Sequence, residues 1–111
     1  AIDSSQQSET QHVQYFLARI LAENGKYQRA IDTYRKVVRA DPRHHGAQLG
    51  LAHCLLSTGD AKAAAGVLEY VTVEHPQDAE ALAYLGMARQ QQRQIAMAID
   101  AYTKALDIHP G

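Results

Sequence analysis

At 111 residues, with 46% hydrophobic and 21% charged residues and a formal net charge of −1, the chain has the makeup of a folded globular protein with one modest core, which argues against wholesale disorder. Its six Tyr, one Phe and no Trp, set beside abundant Ala and Leu, suit close helix contacts better than an aromatic-rich sheet, so an all-α fold is expected. No apolar run approaches the roughly 20 residues a membrane helix needs, which argues against membrane insertion, and the single Cys54 rules out an internal disulfide while leaving the compartment, cytoplasmic or periplasmic, open.

The opening stretch AIDSSQQSET is polar, shows no periodic apolar face and lacks the basic and apolar regions of a secretory signal. Residues 1–10 are therefore expected to form a flexible arm ahead of a helical domain over 11–111. Because the sequence does not begin with Met, we expect a processed chain or an excised piece. From about Gln11, Val13, Phe16, Leu17, Ile20 and Leu21 recur at helical spacing, and Asn24-Gly25 supplies a stop. A second helix carries Tyr27, Ala30, Ile31, Tyr34, Val37 and Val38 on one face and ends at Asp41-Pro42, because the residue before proline disfavours helix. These two helices make one hairpin.

The pattern restarts with Leu51, Ala52 and Leu55, breaks at Gly59-Asp60, and resumes with Ala61, Ala64, Ala65, Leu68 and Val71 before Pro76. A third copy runs Leu82, Leu85, Gly86, then Ile95, Ala98, Ile99, Tyr102, Ala105 and Leu106 before Pro110. Its turn has Arg93 where the others have Gly25 and Gly59, so the chain there must either avoid a positive backbone angle or bear some strain. Pro42, Pro76 and Pro110 recur every 34 residues, as do Ala30, Ala64 and Ala98. The expected repeats are 11–44, 45–78 and 79–111.

Within each period the order is Gln14-x2-Leu17-Ala18-x2-Leu21, Ala30-x3-Tyr34, Pro42; then Gln48-x2-Leu51-Ala52-x2-Leu55, Ala64-x3-Leu68, Pro76; then Leu82-x2-Leu85-Gly86-x2-Arg89, Ala98-x3-Tyr102, Pro110. This order resembles the tetratricopeptide repeat (TPR), departing from it in the missing Trp of every copy and in Arg89 where an aromatic is usual. The resemblance implies an α-solenoid of three helix-turn-helix hairpins in a right-handed superhelix. Independently of the name, Ala18, Ala52 and Gly86 are small where hairpin partners cross, and Ala30, Ala64 and Ala98 are small on the opposing helices, which lets the backbones approach. Leu17, Leu51 and Leu85 are expected to fill the core beside them.

Little in the chain points to chemistry. His12, His44, His45, His53, His75 and His109 include no pair three or four apart on one helix, and no Cys-x-x-Cys occurs, so no metal or cofactor is expected. His75 and His109 each precede a repeat-ending proline, where a helix C-terminus favours such a side chain, and Cys54 reads as a small core residue. No phosphate-cradling loop or nucleophile elbow is present, and the chain reads as non-enzymatic. Arg29, Arg35, Lys36, Arg39 and Arg43 form a basic cluster, but without interleaved aromatics or overall basicity it reads as a solvated outer face rather than a nucleic-acid site.

The resemblance also implies that the first helix of each hairpin lines a concave groove. Helical spacing then assigns to that groove His12, Tyr15, Arg19 and Ala22, then Gly46, Leu49, His53 and Leu56, then Glu80, Ala83, Met87 and Gln90. Leu49, Leu56 and Met87 would make an apolar strip with a polar rim, as binding surfaces do; the alternative is that these side chains contact neighbouring helices. Some TPR domains clamp the acidic tail of heat-shock chaperones with Lys, Asn and Arg at positions that fall here on Tyr15, Arg19, Gly50, Glu80 and Tyr84, a poor match. The expected function is a scaffold that binds a peptide or helix of a partner protein. Two other readings stay open: a recruiting segment of a larger enzyme such as a transferase, and a module that self-associates through an uncapped last helix bearing Ile99, Tyr102 and Leu106.

Overall fold

The computed structural model describes residues 4–111 as six helices: α1 (Ser4–Glu23), α2 (Tyr27–Ala40), α3 (His45–Ser57), α4 (Ala61–Glu74), α5 (Ala79–Gln91) and α6 (Ile95–Ile108). Each helix packs on its successor, and the first helices of consecutive hairpins also touch, α1 on α3 and α3 on α5. The result is an all-α stack measuring 49 × 25 × 24 Å.

Turn chemistry explains the hairpins. At the first turn Gly25 (φ 74°) takes the left-handed conformation, so that its N–H reaches Ala22 O at 3.1 Å and the Lys26 N–H reaches Leu21 O at 2.8 Å. The second turn repeats this geometry with Gly59 (φ 84°) and Asp60 N–H to Leu55 O at 2.8 Å. The third does so with Arg93 at φ 62°, so of the two options open to this turn the chain bears the strain. Between hairpins the polar side chain after each proline turn caps the next helix: His44 Nδ1 accepts from Ala47 N–H at 3.1 Å, and Asp78 Oδ1 from Ala81 N–H at 3.0 Å.

The core runs along the centre of the stack through Ala18, Ala30, Ile31, Tyr34, Val37, Leu51, Ala52, Cys54, Leu55, Ala64, Leu68 and Val71. Ala98 and Gly86 are buried, Leu85 and Tyr102 half-buried, and Pro42, Pro76 and Pro110 exposed in the connecting turns. Two glycines matter for close approach: a Cβ at Gly50 would fall on the Tyr34 ring, and one at Gly86 would lie 2.8 Å from the Tyr102 ring. Where a TPR usually places Trp, buried Gln48 donates to the Pro42 carbonyl and ties the preceding turn to α3. Arg89, in the usual aromatic position, is satisfied differently, pairing with Glu69 at 2.8 Å and donating to Gln94 at 3.3 Å.

Three sequence expectations need correction. Residues 4–10 of the expected arm are helical, continuing α1 with exposed side chains at 5–10; the stretch has no Gly or Pro to stop helix propagation, and positions 1–3 lie outside the described residues. Leu17, expected in the core, is 47% exposed, as are Val13, Phe16 and Ile20 in similar degree. The apolar stripe on α1 is real, but no hairpin precedes it among the described residues, so only Ala18 and Leu21 of that helix are buried, while half-buried Tyr15 and Ala22 pack against the core. Leu56, expected in the groove, is buried at 6% exposure, because α5 closes over the end of α3 and Gln91 Nε2 reaches the Leu56 carbonyl at 3.5 Å.

Candidate functional site: the face of the first helices

The contacts of α1 with α3 and of α3 with α5 line the three first helices up along one side of the stack, and their outward residues make its candidate interaction surface. At the α1 end Tyr15 is the organiser. Its ring lies 4.6 Å from His44, 6.2 Å from Tyr34 and 5.5 Å from Phe16, and the absence of a side chain at Gly46 leaves room for its hydroxyl. Arg19 places its guanidinium 5.8 Å from the Tyr15 ring centroid and 5.7 Å from that of Phe16, a cation held on aromatic faces at the rim. His12 is exposed with its ring edge-on to Phe16 at 4.8 Å.

In the middle stands exposed His53, flanked by Tyr27 at 6.5 Å and Tyr84 at 5.6 Å. Tyr27 was not among the groove residues read from the sequence, and Tyr84 entered only as a position of the chaperone-tail clamp, not of the groove stripe. Tyr27 belongs to a second helix, and Tyr84 sits one position outside the assigned stripe, so only the three-dimensional stacking brings them to His53. Leu49 and Ala83 are half-buried, and Met87 is 38% exposed, so apolar surface continues from repeat two to repeat three. Glu80 is exposed; burial, then the nearby Glu80 charge and its hydrogen-bonding capacity, push the Tyr84 phenol up from its ordinary value. Gln90 is exposed, but its Oε1 accepts from the Tyr102 hydroxyl at 2.9 Å, which commits its side chain to α6.

The remaining candidates are structural. Burial pushes the Cys54 thiol up to about 11, so at neutral pH it is a protonated core residue rather than a nucleophile. His45 Nε2 meets Asp78 Oδ2 at 2.6 Å and its ring packs edge-on to His75 at 4.2 Å, linking the starts of α3 and α5. Among the described residues no group of three or more His, Cys, Asp or Glu side chains is placed to hold a metal ion, and no helix is long and apolar enough to cross a membrane. Arg29, Arg35, Lys36 and Arg39 are exposed along α2, and Arg43 pairs with Glu74 at 3.5 Å. An open cleft of about 760 Å³ lies elsewhere, over α5 between α4 and α6, with Leu82, Leu85, Arg89, Met97 and Ile108 in its walls.

Three stacked hairpins with a 34-residue period and aligned first helices define a TPR protein, a helical-repeat, protein-interaction class. Within that class the chain belongs to the family described as the TPR domain of cytochrome c-type biogenesis protein H, whose model matches residues 5–111. Among solved structures it is similar to MamA (41-end) from Desulfovibrio magneticus RS-1, at 35% identity and a TM-score of 0.87 over 90% of this chain and 56% of that one. It thus spans little more than half the length of that relative. The first TPR of Spaghetti (RPAP3), bound to the HSP90 peptide SRMEEVD, superposes with a TM-score of 0.88 at 22% identity, covering 94% of this chain and 82% of that one. YrrB, described as a TPR protein with an unusual peptide-binding site, gives 0.86 at 22% identity over 90% and 52%. At those identities the last two establish the shared fold. A search of curated proteins found no match.

Proposed function

We propose that the chain is a non-enzymatic scaffold that holds a peptide segment or helix of a partner protein against α1, α3 and α5, and that the partner is a protein handled during cytochrome c-type biogenesis. The observation that carries this reading is the continuous strip formed by Tyr15, Leu49, His53 with its flanking Tyr27 and Tyr84, Ala83 and Met87, on a face otherwise bounded by Arg19, Glu80 and solvent. Aromatic and apolar side chains give such a strip affinity, and the few polar groups fix orientation. The family description supplies the process. An acidic tail of the SRMEEVD kind is a poor occupant: Arg19, the one Lys or Arg among the groove positions, is engaged on aromatic rings, and Glu80 repels carboxylates.

The test is affinity capture of partners from the source extract, followed by calorimetry with peptides from the captured protein. Leu49→Glu and Met87→Glu are expected to weaken binding by at least tenfold, while Arg35→Glu combined with Arg39→Glu leaves it unchanged. The reverse pattern would place binding on the outer face of α2 and overturn the reading.

A further inference from the structure

The two interfaces along the groove are built from different residues at equivalent positions. Between α1 and α3, the Tyr15 and Tyr34 rings lie against Gly46 and Gly50, whose missing side chains make room for them. One period of 34 residues later the sizes are exchanged: Leu49 and Leu68 stand in place of the tyrosines, Glu80 and Tyr84 in place of the glycines. The second interface thus gains a ring and a carboxylate on α5, on the side of that helix that faces the preceding hairpin, and Tyr84 meets His53 at 5.6 Å. A hairpin stacked on α6 in repeat register would meet the other side of α5 and leave this pocket open.

Rings and charge together choose the occupant. Arg19 and His53 hold equivalent positions in consecutive repeats. In the first repeat the chain's own cation lies on aromatic rings, the Arg19 guanidinium being 5.8 Å from the Tyr15 centroid and 5.7 Å from that of Phe16. In the second, exposed His53 stands between Tyr27 at 6.5 Å and Tyr84 at 5.6 Å, and among the described residues no Lys or Arg lies over these rings or pairs with Glu80. Exposed Glu23, one helical turn beyond Arg19 on α1, offsets the charge of that arginine and leaves the charge of Glu80 in excess. Tyr84 registers that excess, since after burial it is Glu80 that pushes its phenol up. Ring faces and a carboxylate both attract a cation and disfavour an anion, so they act on one occupant in the same sense.

We propose that the groove selects a partner segment carrying a Lys or Arg whose cation sits over His53, between Tyr27, Tyr84 and the Glu80 carboxylate, with apolar neighbours that meet Leu49 and Met87. The proposal rests on the groove being the binding surface and adds the chemistry of what it binds. The probe is a library of random 12-residue peptides, selected at pH 7.5 on the immobilised 111-residue chain, on Glu80→Lys, and on the Leu49→Gln, Met87→Gln double variant, which removes apolar contact without adding charge. Peptides held by the parent chain but not by the double variant are expected to share a Lys or Arg. A synthesised member should shift the His53 and Tyr84 ring resonances and bind at least tenfold more weakly when that residue is norleucine or when the chain carries Glu80→Lys, which should itself select Asp or Glu. If Glu80→Lys misfolds, Glu80→Gln makes the same comparison with a loss of at least threefold. Groove-dependent peptides that lack a shared basic residue, or that bind Glu80→Lys and the parent equally, would overturn the proposal and leave the groove reading intact. Should no peptide distinguish the parent from the double variant, the groove reading itself falls and the proposal with it.

Discussion

Single residues in this chain act mainly through the space they leave and the protons they keep. Gly50 leaves the Tyr34 ring room to lie buried between α1 and α3, so Gly50→Ala forces the ring or the helix to move. Overpacking of this kind costs about 1–3 kcal/mol, which a shift in thermal or urea midpoint will report. An unchanged midpoint would mean that the contact is softer than the geometry shows. Protons matter at the same centre. Burial pushes Tyr34 up to about 12, with Cys54 and Tyr15 nearby adding to the effect, and burial pushes Cys54 up to about 11. Both groups are neutral when protonated, so the native state holds their protons more tightly than the unfolded chain does. Stability is thus expected to be insensitive to these groups below about pH 9, then to fall as pH rises through the windows 9–11 for Cys54 and 10–12 for Tyr34. Urea midpoints across pH 7–11 measure this, and Cys54→Ala should remove the earlier part of the decline.

Elements are set by their ends, and the ends also decide how much of the fold could be read in advance. The hairpin boundaries at Gly25, Gly59, Pro42 and Pro76 were legible because those residues impose backbone geometry whatever surrounds them. The start of α1 was not, because Ser, Gln, Glu and Thr at 4–10 are compatible with helix or coil and only propagation from a packed helix decides. Burial was legible only where neighbours exist on both sides. Periodicity correctly marks Leu17 and Leu56 as apolar positions on helix faces, yet Leu17 is exposed where no hairpin precedes α1 among the described residues, and Leu56 is covered where α5 leans on α3. Tyr27 was missed at the groove, and Tyr84 was left off its helical stripe, for the same reason, since they reach His53 across helices rather than along one. The third turn offers a test of end effects: Arg93 holds φ 62°, a conformation that costs a non-glycine residue about 1–2 kcal/mol, partly offset by the greater unfolded-state entropy of glycine. Arg93→Gly should raise stability by about 0.5–1 kcal/mol, seen as a higher melting temperature, and a lower one would show that the Arg93 side chain contributes more than its backbone strain removes.

For the whole molecule, stability in a stack of hairpins is close to a sum of each unit's own stability and its contacts with neighbours. The middle hairpin, α3 and α4, has a neighbour on both sides, and the buried Leu51, Cys54, Leu55, Leu68 and Val71 belong to it. The outer helices each lack one neighbour among the described residues, with Val13, Phe16 and Ile20 open on α1 and Ile95, Ile99 and Leu106 open on α6. Burial of a large apolar side chain contributes on the order of 1.5–3 kcal/mol, so the missing contacts are large beside the net stability of a small domain. Amide hydrogen exchange should therefore be graded along the stack: slowest in α3 and α4, where exchange requires global unfolding, faster in α6, and fastest over residues 5–10 of α1, whose side chains are all exposed. Protection in α6 equal to that of α3 in the isolated chain would show that the open face carries no energetic deficit.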